Sequence, residues 1–115
     1  MHTDVETQRL PLLEFLPPEI DGYLSLADLK FDVPGVNVPP FGVARFSVPA
    51  GKTAPVDSHQ SHEIWIVTEG EGELLYDSRI TKLCKESACF IEAPKSHQLR
   101  NTGSRTLEAI SIWWR

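Results

Sequence analysis

Four residues in this sequence, Asp57, His59, Glu63 and His97, are of the types that hold a divalent metal ion. Two imidazoles with a carboxylate suit iron, manganese, cobalt, nickel or zinc and leave coordination positions open for a substrate. Strand parity sorts the candidates: Asp57, His59 and Glu63 share one parity and His62 has the other, so His62 should point away. A straight strand cannot bring Asp57 and Glu63 to one ion, because six residues span roughly 20 Å against ligand bonds of about 2 Å. A bend near Gln60-Ser61 is therefore predicted, with Asp57 and His59 on one strand and Glu63 on the next. Glu63 heads Ile64-Trp65-Ile66-Val67, a run that reads as buried on both faces. A carboxylate there needs a cation or good hydrogen bonds to offset its desolvation, unless it sits at a solvent-exposed mouth beside a lysine or arginine.

Other side chains are candidates of a different kind. Arg45, on a strand with Val43 and Ser47, is either solvated or a substrate contact that binds a carboxylate or phosphate inside a barrel. Trp65 has the parity of Glu63 and reads as an apolar wall beside the site or as plain core. Trp113 and Trp114 must face opposite ways, one inward and the other against the N-terminal arm or another subunit. Lys95 is expected in solvent, His2 and His62 as non-ligands, and Cys84 and Cys89 as reduced structural thiols, since their spacing matches no metal or redox motif.

The elements that must position these groups are short. Six of the nine prolines fall in residues 1–40, which rules out a long helix and favours an extended arm. Glu19 to Lys30 can hold a short helix, but Tyr23-Leu24-Ser25-Leu26 also alternates as a strand does. From Phe41 onward, GVARFSV, EIWIVT, GELLY, ACFIEA and LEAISIWW read as strands. Glycines in Glu69-Gly70-Glu71-Gly72 supply positive φ, and Asp77-Ser78-Arg79 makes a second hairpin turn. The result is an all-β antiparallel barrel or sandwich at 41–115, preceded by the arm at 1–40, which packs on the body or on a partner subunit.

These motifs resemble the cupin family. Gly51-x5-Asp57-x-His59-x3-Glu63-x6-Gly70 has the spacing of the first cupin motif, with Asp57 in place of its first histidine. Glu92-Ala-Pro94-Lys-Ser-His97-x3-Asn101 is similar to the second, keeping its histidine and asparagine. Glu92 and Pro94 occupy its proline and glycine positions, and Glu86 the glycine that opens it. The resemblance covers about residues 41–115. It implies a double-stranded β-helix (jelly-roll) barrel with an interior metal held by the histidines and glutamate, frequently in a homodimer.

The departure at Asp57 leaves three readings: a fourth ligand, an orienting group behind the ligands, or a solvent-facing side chain beside a three-ligand site. Two carboxylates would neutralise a divalent ion and favour iron, manganese or zinc. The function expected is a metal-dependent enzyme, a dioxygenase or an isomerase or lyase, acting on a small oxygen-rich or carboxylated molecule, with Asp57 and Glu63 as catalytic groups. The alternative is a non-catalytic binding or regulatory barrel. With a net charge of -5 and no basic run, nucleic acid is not an expected partner, and no apolar run is long enough to cross a bilayer. The N-terminus lacks the pattern of a signal peptide, so a cytoplasmic protein is expected.

Overall fold

A computed structural model describes residues 12–115. Its strands are β1 (Glu14–Phe15), β2 (Glu19–Asp21), β3 (Leu24–Lys30), β4 (Gly42–Val48), β5 (His62–Glu69), β6 (Glu71–Tyr76), β7 (Arg79–Cys84), β8 (Ala88–Ile91), β9 (His97–Arg100) and β10 (Leu107–Trp114). The larger sheet runs β1-β3-β4-β10-β5-β8, with β2 also on β3; the smaller runs β7-β6-β9. All the pairings are antiparallel. The segment 53–57 continues the smaller sheet beyond β9 through bridges at Thr53–Arg100 and Asp57–His97. The fold is all-β, as expected, and among the described residues no helix is long and apolar enough to cross a membrane. Residues 1–11 of the arm, with His2, lie outside the described residues.

Alternation builds the core. Phe46 and Val48 of β4, Trp65 and Val67 of β5, Ile91 of β8, and Leu107 and Ala109 of β10 meet Leu74, Leu83 and Leu99 of the smaller sheet. The stretch Glu19 to Lys30 is β2 and β3, so the strand reading prevails over the short helix. The inward rows of β3 and β4 explain the choice: a strand lets Leu24 and Leu26 pack on the same core as Phe46.

The run Ile64–Val67 is buried on one face only, which corrects the two-sided expectation. Trp65 and Val67 point inward, whereas Ile66 on the outer face is 38% exposed. The second sheet covers the inner face, and no described element covers the outer one.

Turn chemistry follows the sequence at Gly70 and at Asp77-Ser78, whereas Gly72 lies within β6 without the positive φ expected of it. Asp77 (φ 49°) and Ser78 (φ 68°) form the two-residue β6–β7 turn, both in the left-handed region that such hairpins require. Gly70 has φ 82°, and a Cβ there would lie 2.7 Å from the Thr106 carbonyl oxygen. Asn101 is buried; its amide donates to the carbonyls of Val48 (2.9 Å) and Arg105 (2.7 Å), and its oxygen accepts from the Gly103 N–H (2.8 Å). It therefore straps the β9–β10 loop to β4. Cys84 and Cys89 are unpaired, as expected. Cys89 packs against the core, where burial, with a smaller push from the Glu63 carboxylate, raises its thiol to about 11, so it is neutral at physiological pH and a poor nucleophile.

Glu86 stands where the motif has glycine, and its φ is 73°. A side chain there is strained against its own backbone. Glu86→Gly should raise unfolding stability by roughly 0.5–1 kcal/mol, the left-handed penalty removed less the added freedom of the unfolded chain. Denaturant unfolding checks this, and equal or lower stability would contradict it.

Candidate metal centre

The smaller sheet and β5 bring the four candidate ligands together. Asp57 and His97 exchange both backbone hydrogen bonds, each 2.9 Å, so they are directly opposed and share a face. On the other side of His97, Tyr76 is its register partner. The chain bends at Gln60-Ser61, as parity required, before β5 begins. The bend carries His59 back over Glu63. Asp57, His59 and His97 then place one potential ligand atom each within 4.8 Å of one another. Glu63 joins them through Oε1, 2.6 Å from His59 Nε2 and 3.7 Å from His97 Nε2.

Each imidazole is oriented from behind. His59 Nδ1 donates to the Ser61 carbonyl at 2.8 Å, and His97 Nδ1 donates to that of Lys95 at 3.1 Å. A carbonyl only accepts, so both hydrogens are placed on Nδ1 and each Nε2 is left as a lone pair turned toward the centre. The lone pair of His59 Nε2 and the carboxylate Oε1 of Glu63, 2.6 Å apart, repel unless a positive charge lies beside them. A proton or a metal ion supplies it. His97 is 4% exposed and Glu63 13%, His59 and Asp57 progressively more, so the site is deepest at His97 and opens at Asp57. Two imidazole nitrogens with a carboxylate, from Asp57 on one side or Glu63 on the other, are a donor set that fits a divalent ion.

The remaining oxygen of Glu63, Oε2, accepts from Trp65 Nε1 at 3.0 Å and from Ser111 Oγ at 2.5 Å. Trp65 also packs edge-on against His97, with centroids 5.6 Å apart, and against Phe46 at 5.0 Å. It is wall and core at once. Beside these groups is a cavity of about 80 Å³ whose apolar side is Leu24, Leu26, Phe46 and Leu99, with Gln98 as a further polar neighbour. Among the described residues no lysine or arginine lines it.

The other candidates lie elsewhere. Arg45 is on the outer face, because alternation gives the interior to Ala44, Phe46 and Val48; its guanidinium rests 4.5 Å over the Phe15 ring. It lines a separate outer hollow of about 530 Å³ and does not reach the cavity as a substrate contact would have to. His62 turns outward, accepts the Ala93 N–H at Nδ1 (3.1 Å) and lies near Phe90 and Trp114. Lys95 pairs with Glu92 at 3.0 Å, and that hydrogen bond raises its ammonium above its usual range. Sequence reasoning missed Ser111, Ser61 and Gln98. For Ser111 a signal existed: it is a hydroxyl at inward parity among Leu107, Ala109 and Trp113.

Comparison with known proteins agrees with this geometry. The model of the cupin domain matches residues 44–113. An oxalate-binding protein from Thermotoga maritima is 27% identical over 70 residues, which cover 60% of this chain and 58% of that protein's length. A cupin 2 conserved barrel domain protein from Salinispora arenicola superposes with TM-score 0.73 at 23% identity, covering 85% of this chain and 81% of the other. A predicted oxalate decarboxylase from Thermotoga maritima superposes with TM-score 0.67 at 20% identity, covering 89% and 90%. A match over more than half the chain, on a two-sheet barrel with histidines and carboxylates converging between the sheets, establishes that the chain belongs to the cupin family.

Proposed function

We propose that this cupin holds a divalent ion, iron, manganese or zinc, through His59, Glu63 and His97, and that it takes a small carboxylated or oxygen-rich molecule beside that ion. The observation that carries the reading is the pair of carbonyl-fixed imidazoles aimed at a carboxylate oxygen 2.6 Å from one of them. The ion would supply Lewis-acid polarisation of a bound oxygen and, if iron or manganese, one-electron chemistry. Asp57 stands at the exposed rim, free to serve as a fourth ligand or to exchange a proton with a bound molecule. Leu24, Leu26, Phe46 and Leu99 exclude water from the inner side, and the size of the cavity limits the ligand to a few heavy atoms. Because no lysine or arginine among the described residues lines that cavity, a bound carboxylate has the ion as its principal counter-charge. The names of the Thermotoga maritima relatives favour such a ligand.

Enzyme turnover, by an oxygenase or an isomerase or lyase route, is the first reading. Binding without turnover is the second, favoured by the name of the oxalate-binding relative. Unpaired Cys84 and Cys89 fit a reducing, cytoplasmic setting.

A homodimer is proposed on the outer face of the larger sheet. There Ile64, Ile66, Phe90, Ile112 and Trp114 form one apolar surface by cross-strand pairing, with Phe90 and Trp114 stacked at 6.2 Å. Its charged groups, Arg45 and Glu108, lie on neighbouring strands at one end and have opposite signs, so a two-fold contact can pair each with the other's partner. This placement gives Trp114 the outward role expected of one of the two terminal tryptophans.

Protein purified without chelator should carry metal, and His97→Ala should lose it, with affinity falling more than the roughly 10–100-fold typical of removing a supporting residue. Elemental analysis and competition titration measure both; full metal content in the variant would refute the assignment. Isothermal titration of the metal-loaded protein with oxalate should show binding that disappears with the metal. Light scattering should give a dimer mass for the native chain and a monomer mass for Ile66→Glu, and a native monomer would overturn the proposed interface.

A further inference from the structure

We propose that Ser111 and Trp65 are positioning residues that hold Glu63 to ligation through one oxygen, keeping a coordination position open for the bound molecule. This rests on the metal reading above. Ser111 is 2% exposed in a row of apolar neighbours, and a hydroxyl buried there is costly without a partner. Its recorded side-chain bond is to Glu63 Oε2, at 2.5 Å. The Trp65 N–H reaches the same oxygen at 3.0 Å.

The register explains why both donors meet one atom. Ser111 and Trp65 are direct cross-strand partners on β10 and β5, and Glu63 lies two residues before Trp65 on the same face, so it is the diagonal neighbour of Ser111. Phe46 and His97 flank the indole and fix its direction. A carboxylate oxygen has two in-plane lone pairs, and these two donors occupy both. Oε2 is therefore committed to the protein, and Oε1 alone faces the imidazoles of His59 and His97. Without the donors the carboxylate can rotate and present both oxygens to an ion, consuming the open position and displacing the imidazole geometry. Trp65 thereby acquires a definite role, acting on the site through Glu63.

The test uses cobalt(II), whose visible absorption reports coordination number, on the full chain. Ser111→Ala should weaken cobalt binding by about 10-fold or more and shift the spectrum, while Ser111→Thr, which keeps the hydroxyl, should restore both. Trp65→Phe, which removes only the N–H, should shift the spectrum in the same direction and carries the test should Ser111→Ala not fold. Native affinity and an unaltered spectrum in the folded Ser111→Ala or Trp65→Phe protein would overturn the proposal while leaving the metal reading intact. Failure of the native chain to bind cobalt would overturn both.

Discussion

At the centre of the molecule an imidazole lone pair and a carboxylate oxygen stand 2.6 Å apart, a contact that is repulsive until a positive charge joins them. Much of the surrounding structure preserves that arrangement. The Ser61 and Lys95 carbonyls fix the tautomers, the Asp57–His97 bridge fixes the rim, and Ser111 with Trp65 fixes the far oxygen of Glu63. A charged cluster of this kind is costly to bury on its own. Spread across both sheets and the bend between them, it instead ties the two layers at one point, where a bound ion would add to the stability of the folded state.

The barrel gives the site its depth. Phe46, Trp65 and Leu99 pack behind the histidines, while the 53–57 segment, paired to β9 and anchored inward by Ala54, forms the open side. Asp57 is thus both a structural partner of His97 through its backbone and an exposed acid through its side chain. The three readings of Asp57 differ only in the side chain, since its backbone position is shared by all of them. Its ligand atom lies close enough to those of His59 and His97 for direct ligation.

Much of this could be read from residue types and spacing. Parity separated His62 from Glu63, the impossible span of a straight strand required the bend at Gln60-Ser61, and motif spacing joined His97 to the set. Other features were hidden by the same logic. β9 was not legible as a strand because its inward positions are His97 and Leu99, so a histidine stands where an apolar residue would mark a strand. β3 was ambiguous because Leu24 and Leu26 satisfy a strand while the surrounding length suits a helix, and only pairing with β4 decides between them. The doubly apolar run in β5 was a true property of the residues, but burial of its second face depends on a covering surface that no described element provides. Arg45 could not be assigned a face until β4's register was known. Glu86 shows the converse: at a position where the motif has glycine, the backbone takes a positive φ although the residue is not glycine.

The most direct test of the metal centre is an anomalous difference map from crystals grown with manganese(II) or zinc(II). A single strong peak enclosed by His59 Nε2, His97 Nε2 and Glu63 Oε1 at ordinary ligand distances is the predicted result. A crystal in which those atoms enclose no peak, with Glu63 Oε1 and His59 Nε2 joined by a proton alone, would contradict the account.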